Sequence, residues 1–209
     1  MKTEDLITIL SQTEPPRPKL GFTPALALLC TLSLTTIILT MGVRSDLMDS
    51  MMNGGFWFKT GFLGTALVLS LLMLGQSAYP VQKKTILPYL YVGLWAGLMI
   101  GAVYQIATTA FAGILPQWRS TTGLVCIGFV LLYGLIGQIV LIKIMQAFAP
   151  ANLEAAGRNI ALASAAAGAI GYSIHCNMDN PAYIIFAYGL PTLILTVIGS
   201  KILPKFIRW

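Results

Sequence analysis

Charge is scarce in this chain. Asp, Glu, Lys and Arg make up 10% of it, against 56% hydrophobic residues, whereas a soluble domain carries roughly 25% charged residues. With a mean hydropathy of +0.79, too few polar groups remain to cover a water-facing surface, so a soluble globular fold is excluded. Histidine occurs once, which excludes a two-histidine zinc site within one chain. No Gly-rich phosphate loop and no G-x-S-x-G elbow is present, so neither nucleotide nor acyl-transfer chemistry is supplied, and no enzyme and no cofactor are expected. A basic, nucleic-acid-binding composition is also missing. The net charge of +6 is read first as a topology signal.

What the chain has in quantity is uninterrupted apolar sequence. Charge-free stretches run over 20–43, 60–82, 85–118, 120–142, 159–178 and 180–200. A spanning helix needs about 20 apolar residues, and the 34-residue third stretch is too short for two helices and a turn. The fold class is therefore all-α, a polytopic membrane protein with six transmembrane helices, expected at 22–43, 58–77, 88–109, 121–143, 156–175 and 182–203. Residues 1–20 form a polar N-terminal segment ahead of the 21–209 membrane domain. They lack the basic-then-apolar pattern of a cleaved signal, so the first apolar run is expected to stay as an anchor.

Basic residues then orient the bundle. Lys2, Arg17, Lys19, Lys83, Lys84, Lys143, Arg158, Lys201, Lys205 and Arg208 fall on one side; Arg44, Lys59 and Arg119 fall on the other. The positive-inside rule puts the larger set, and with it both termini, in the cytoplasm. The spans are expected to hold no charged side chain, which argues against an ion-coupled transporter. Small residues recur every fourth position at Gly93, Gly97 and Gly101 and again at Ala163, Ala167 and Gly171. Such stripes let helices approach closely, either within the chain or across a homo-oligomer. Pro191 is expected to kink the sixth helix.

Three cysteines occur. Cys30 lies about 12 Å into the first helix at 1.5 Å per residue and reads as a small packed apolar side chain. Cys126 opens the fourth helix and Cys176 closes the fifth, so helix parity places both at the outward face. Whether their α-carbons come within the about 7 Å a disulfide needs is not set by sequence. Cys176 belongs to Ile174-His175-Cys176-Asn177-Met178-Asp179-Asn180-Pro181. Its sulfur, the imidazole and the carboxylate are metal-ligand types, but four ligands do not occur locally and no permanent metal site is expected. A redox- or metal-sensitive thiol pair, Cys126 with Cys176, is the expectation, with His175 and Asp179 as auxiliary ligands. As a purely structural group, His175 would cap the end of its helix.

Several local patterns carry a family resemblance. They are Met1-Lys2-Thr3-Glu4-Asp5-Leu6-Ile7 at the start, and Gly42-Val43-Arg44-Ser45-Asp46-Leu47 then Phe56-Trp57-Phe58-Lys59 in the first loop. Cys126, the run Gly171-Tyr172-Ser173-Ile174-His175-Cys176 with Pro181 and Tyr188-Gly189, and the terminal Ile207-Arg208-Trp209 complete them. In these the chain resembles the NrsF-type negative regulators of sigma factor F, bacterial inner-membrane anti-sigma factors. The resemblance implies a multi-pass inner-membrane protein whose cytoplasmic part holds an extracytoplasmic-function sigma factor inactive. It also implies that Cys126 and Cys176 serve the response to heavy-metal or oxidative stress, while Cys30 has no counterpart. Members usually follow His-Cys with Pro-Glu-Asp; this chain has Asn177-Met178-Asp179.

The residues are compatible with that role. Thr3 can cap a short helix with Glu4 and Asp5 in its first turn, and Leu6, Ile7, Ile9 and Leu10 then form an apolar face. About ten residues are too few for a stable isolated helix, so this face is expected to order on a protein partner. Pro15, Pro16 and Pro18 stiffen the ~30 Å connection to the bilayer. The alternative function is a small transporter or channel, for a metal ion among others. No direct contact with nucleic acid is expected.

Overall fold

The computed structural model describes residues 21–80, 85–109 and 121–208. Among the described residues there is no strand. The helices are α1 (Phe22–Thr40), α2 (Leu47–Met52), α3 (Gly55–Ser77), α4 (Leu87–Thr109), α5 (Thr121–Met145), α6 (Leu153–Ser173), α7 (Pro181–Ile184), α8 (Leu190–Ile202) and α9 (Pro204–Ile207), and the π-helical turn Ile185–Gly189 joins α7 to α8. The long helices overlap the charge-free stretches, although α3 takes in Lys59 and α6 takes in Glu154 and Arg158.

Five stretches are long and apolar enough to cross a membrane: Phe22–Thr40, Gly55–Ser77, Leu87–Thr109, Gly123–Met145 and Pro181–Ile202. Large side chains such as Leu39, Tyr89, Ile100 and Ile139 are exposed around them, a surface that water would disfavour. The helix expected as the fifth span, α6, is not among the five. Its Ala, Gly and Ser residues lower its hydropathy. The packing explains why: α6 lies against α1, α3, α5 and α8, and nearly every side chain from Ala156 to Ser173 is buried. A helix with protein on all sides needs small residues more than lipid-soluble ones. A Cβ on Gly157 would stand 2.5 Å from the Gly199 carbonyl oxygen, so only glycine permits the α6–α8 crossing. Asn152 starts α6 by accepting the Ala155 N–H at 2.9 Å.

Three expectations need correction. The small-residue stripe on α6 packs inside the chain, with Ala163 and Ala167 in the core. The stripe on α4 does not: Gly93 and Gly97 have no atom within 4 Å of an added Cβ, and Gly101 meets only Pro181, at 3.7 Å. The spacing was the same, but α4 touches the bundle through its opposite face. The kink is also displaced. Pro191 stands in the first turn of α8, and the irregularity is the π-turn just before it, where Leu190 N–H bonds to Ile185 O. Widening the helix there removes the clash of a ring that cannot donate. Lastly, the spans are not free of charge: Lys59 lies on α3 with its side chain 0% exposed. Sequence counted it among the outward connection charges, at the very edge of the expected 58–77 span, but an ion pair described below draws it into the bundle.

Candidate functional site, a buried thiol pair beneath an ionic clamp

The site forms where α1, α5 and α6 end or begin together. Near the start of α5, Cys126 is fully buried. Beyond α6 the chain makes one more turn, with Cys176 N–H reaching Tyr172 O at 3.2 Å, and this turns the fully buried Cys176 back into the bundle. The two sulfurs share one buried cluster and are close enough to influence each other electrostatically, and both are free thiols. Tyr172, Tyr183, Tyr188, Ile37, Leu63 and Val130 pack in the same core cluster. The hydroxyls of Tyr183 and Tyr188 lie against the sulfurs yet complete no hydrogen bond of ordinary geometry. Cys30 stays apart, half-buried against a different core cluster.

Asp179 is the centre of the clamp. Its carboxylate accepts from Arg44 Nη1 at 2.8 Å, Ser50 Oγ at 2.6 Å and Lys59 Nζ at 2.6 Å. Arg44 also pairs with Asp46 at 2.8 Å. The same two cations bind the backbone around the thiol. Arg44 donates to Cys176 O at 3.2 Å and Asn177 O at 3.1 Å, and Lys59 donates to Cys176 O at 2.5 Å. Burying a cation is costly unless it is paired and hydrogen-bonded, and this arrangement satisfies both conditions.

Local sequence makes the clamp buildable. Met41 N–H and Gly42 N–H both reach Ile37 O, at 2.9 and 3.1 Å, ending α1, and Gly42 turns the chain with φ 77°. Gly54, at φ 78°, supplies the second left-handed turn that launches α3, a conformation costly for side-chain-bearing residues. A Cβ on Gly55 would come within 3.2 Å of the Asp179 carboxylate. Asn180 closes the loop by accepting Tyr183 N–H at 2.8 Å, ahead of Pro181, the usual opening of a helix.

The electrostatics follow from these contacts. Burial pushes the Asp179 carboxyl up, but hydrogen bonds from Lys59, Ser50 and Arg44 outweigh it and hold the group below the ordinary carboxylate value. Asp46 is pulled down to about 2, first by its hydrogen bonds with Arg44. The Cys176 thiol is lowered, first by the neighbouring Cys126 and then by the Lys59 ammonium, against the opposing effect of burial.

Of the expected site residues, Cys126 and Cys176 are brought together and Asp179 lies beside them. His175 is held by a bond within the protein. Its Nδ1 stands 3.0 Å from Gly42 O, and since a carbonyl only accepts, that nitrogen donates; the ring packs edge-on to Tyr172. Asp179 is likewise committed to protein donors. Among the described residues no group of three or more His, Cys, Asp or Glu could hold a metal ion. Glu4, Asp5, Leu6, Ile7, Ile9 and Leu10 lie outside the described residues. Sequence reasoning missed Arg44, Ser50 and Lys59. The signal was present, because basic residues are few on that side and two of the three belong to the site.

The family model for the negative regulator of sigma F matches residues 6–209. The chain belongs to that family. No curated protein and no solved structure matches it. The match covers the loop with Arg44, the start of α3 with Lys59, and both buried cysteines, so the whole clamp lies inside the family region of this sigma F regulator.

Proposed function

We propose that the chain is an anti-sigma factor of the bacterial inner membrane that sequesters an extracytoplasmic-function sigma factor and releases it when Cys126 and Cys176 are modified. In this reading α6 also crosses the bilayer, as the fifth of six spans, packed against α1, α3, α5 and α8, and both termini are cytoplasmic. Residues 1–20 grip the sigma factor through Glu4, Asp5 and the apolar Leu6, Ile7, Ile9 and Leu10. The observation that carries it is the placement of two thiols, Cys126 on α5 and Cys176 in the loop just beyond α6, in one buried cluster, at the opposite end of α1 from the N-terminal segment. With 19 residues, α1 is about 28 Å long. Beyond its far end Arg44 N–H bonds to Ile174 O at 3.3 Å, in the loop that carries Cys176. A change at the sulfurs thus reaches the partner-binding tail through one rigid helix.

The modification that fits best is disulfide formation, since two thiols share one buried cluster and no third His, Cys, Asp or Glu joins them in a metal-holding group among the described residues. Both S–H bonds break and one S–S bond forms. The two electrons and two protons pass to a two-electron oxidant, for which a peroxide, cleaved at its O–O bond, is the chemical class. A disulfide fixes its α-carbons within about 7 Å, so bridging α5 to the Cys176 loop biases one helix arrangement over another, as a switch requires.

Co-purification tests the partner-binding half. The full-length chain should retain a sigma factor from detergent-solubilised membranes, and a variant lacking residues 2–20 should not. Retention by the truncated variant at the full-length level would overturn the assignment.

A further inference from the structure

We propose that Lys59 is a positioning residue that makes Cys176, and not Cys126, the sulfur that reacts first with an electrophile, a role that rests on the thiol-sensing reading above. Lys59 is fully buried, and its ammonium straddles the reactive loop, donating to Cys176 O at 2.5 Å and to Met178 O at 3.4 Å. Arg44 meets the same Cys176 carbonyl from the other side, at 3.2 Å. Cys126, by contrast, stands within α5, where its own backbone belongs to the helix ladder.

Charge balance gives the direction. Two buried cations, Arg44 and Lys59, face one mostly buried carboxylate, Asp179, whose side chain is 15% exposed, while Asp46 is 45% exposed. The buried part of the cluster therefore holds a surplus of positive charge beside Cys176, and the thiolate is the nucleophilic form of a cysteine. The remaining groups facing Cys176 are the phenols of Tyr172, Tyr183 and Tyr188, which are neutral at physiological pH, and its neighbour His175, whose Nδ1 points to Gly42 O. Helix dipoles act the other way, because Cys126 follows a helix start and Cys176 follows a helix end. Dipole effects fade within a turn, however, whereas Lys59 brings a full charge.

The order of events follows. Cys176 attacks a two-electron oxidant, with its sulfur forming the new bond and the leaving group departing with the electron pair. Cys126, in the same buried cluster, then attacks the oxidised sulfur, displaces the attached group and closes the disulfide, losing its proton; a carbon electrophile stops at the first step, as a thioether. For a peroxide the first step gives a sulfenic acid and an alkoxide or hydroxide, and the second releases water.

The test is alkylation by iodoacetamide of the full-length chain in native membranes, with Cys30→Ser leaving two thiols, mapped by mass spectrometry between pH 5 and pH 10. Cys176 should label before Cys126, with a rate midpoint below that of an ordinary thiol. Lys59→Met should move the Cys176 midpoint upward and slow its labelling at pH 7 by about tenfold or more, tenfold corresponding to one unit of midpoint. Lys59→Arg should keep the wild-type profile. A Lys59→Met profile scaled equally at every pH, with its midpoint unmoved, would reduce Lys59 to a structural part and overturn the role. Earlier labelling of Cys126 in the otherwise wild-type chain would also overturn it, and that measurement needs no Lys59 variant to fold. Sigma-factor release is a separate readout, so failure of the labelling order and failure of thiol sensing are distinguishable.

Discussion

Replacing Asp179 by Asn keeps the shape of the clamp and removes its central charge. Arg44 still has Asp46 at 2.8 Å, so the loss falls on Lys59, which is fully buried and whose close carboxylate partner is Asp179, at 2.6 Å. Removing one member of a buried pair costs about 3–5 kcal/mol. Because Asp179 is 15% exposed, the lower end is the better figure, about 3 kcal/mol. If that is taken from the free energy of opening the clamp locally, the open population rises roughly a hundredfold, at 1.36 kcal/mol per decade. In native membranes at pH 7, Asp179→Asn in the Cys30→Ser background should therefore label at Cys126 and Cys176 about a hundred times faster than the parent. Adding Lys59→Met should recover most of that change, because removing both partners costs far less than removing one. Labelling of Asp179→Asn at the parental rate would show that the ion cluster does not enclose the sulfurs.

Acid should loosen the same region. Asp46 and Asp179 are held below their ordinary value of 3.8, so the stability they contribute is present above that value and is lost as pH falls toward their folded values, about 2 for Asp46. The thermal midpoint in detergent should be flat from pH 7 to about 5 and fall below about 4; a midpoint that rose on acidification would contradict the sign. At the helix crossing, Gly157→Ala pushes a methyl to 2.5 Å from the Gly199 carbonyl oxygen. Backbone must move, costing about 1–3 kcal/mol, visible as lower accumulation and a lower midpoint, whereas Gly93→Ala, with nothing within 4 Å, should be neutral.

The sequence made the helices legible because lipid leaves charge as the main punctuation, and the charge-free stretches overlap α1, α3, α4, α5, α6 and the α7–α8 segment. Alternation of helix direction placed Cys126 and Cys176 at one end. Their sharing of one cluster was not legible, because it depends on which helices are neighbours, and α5 lying against α6 leaves no trace in either segment alone. Lys59 and Arg44 were visible only as topology charges; that both turn inward depends on Asp179, more than a hundred residues away. The bond that orients His175, from Nδ1 to Gly42 O at 3.0 Å, was not legible either, because it joins residues 133 apart. Gly93 and Gly97 of α4 carried a packing signal with no packing partner among the described residues, since spacing reports that a face is smooth and not what lies against it.

The account turns on coupling between the sulfurs and the partner. The direct measurement is the amount of sigma factor retained by the full-length chain in membranes before and after exposure to a peroxide, compared across wild type, Cys126→Ser and Cys176→Ser. Wild type should lose its sigma factor while gaining the Cys126–Cys176 bridge, and both serine variants should keep theirs. Release from the serine variants to the same extent as from wild type would contradict it.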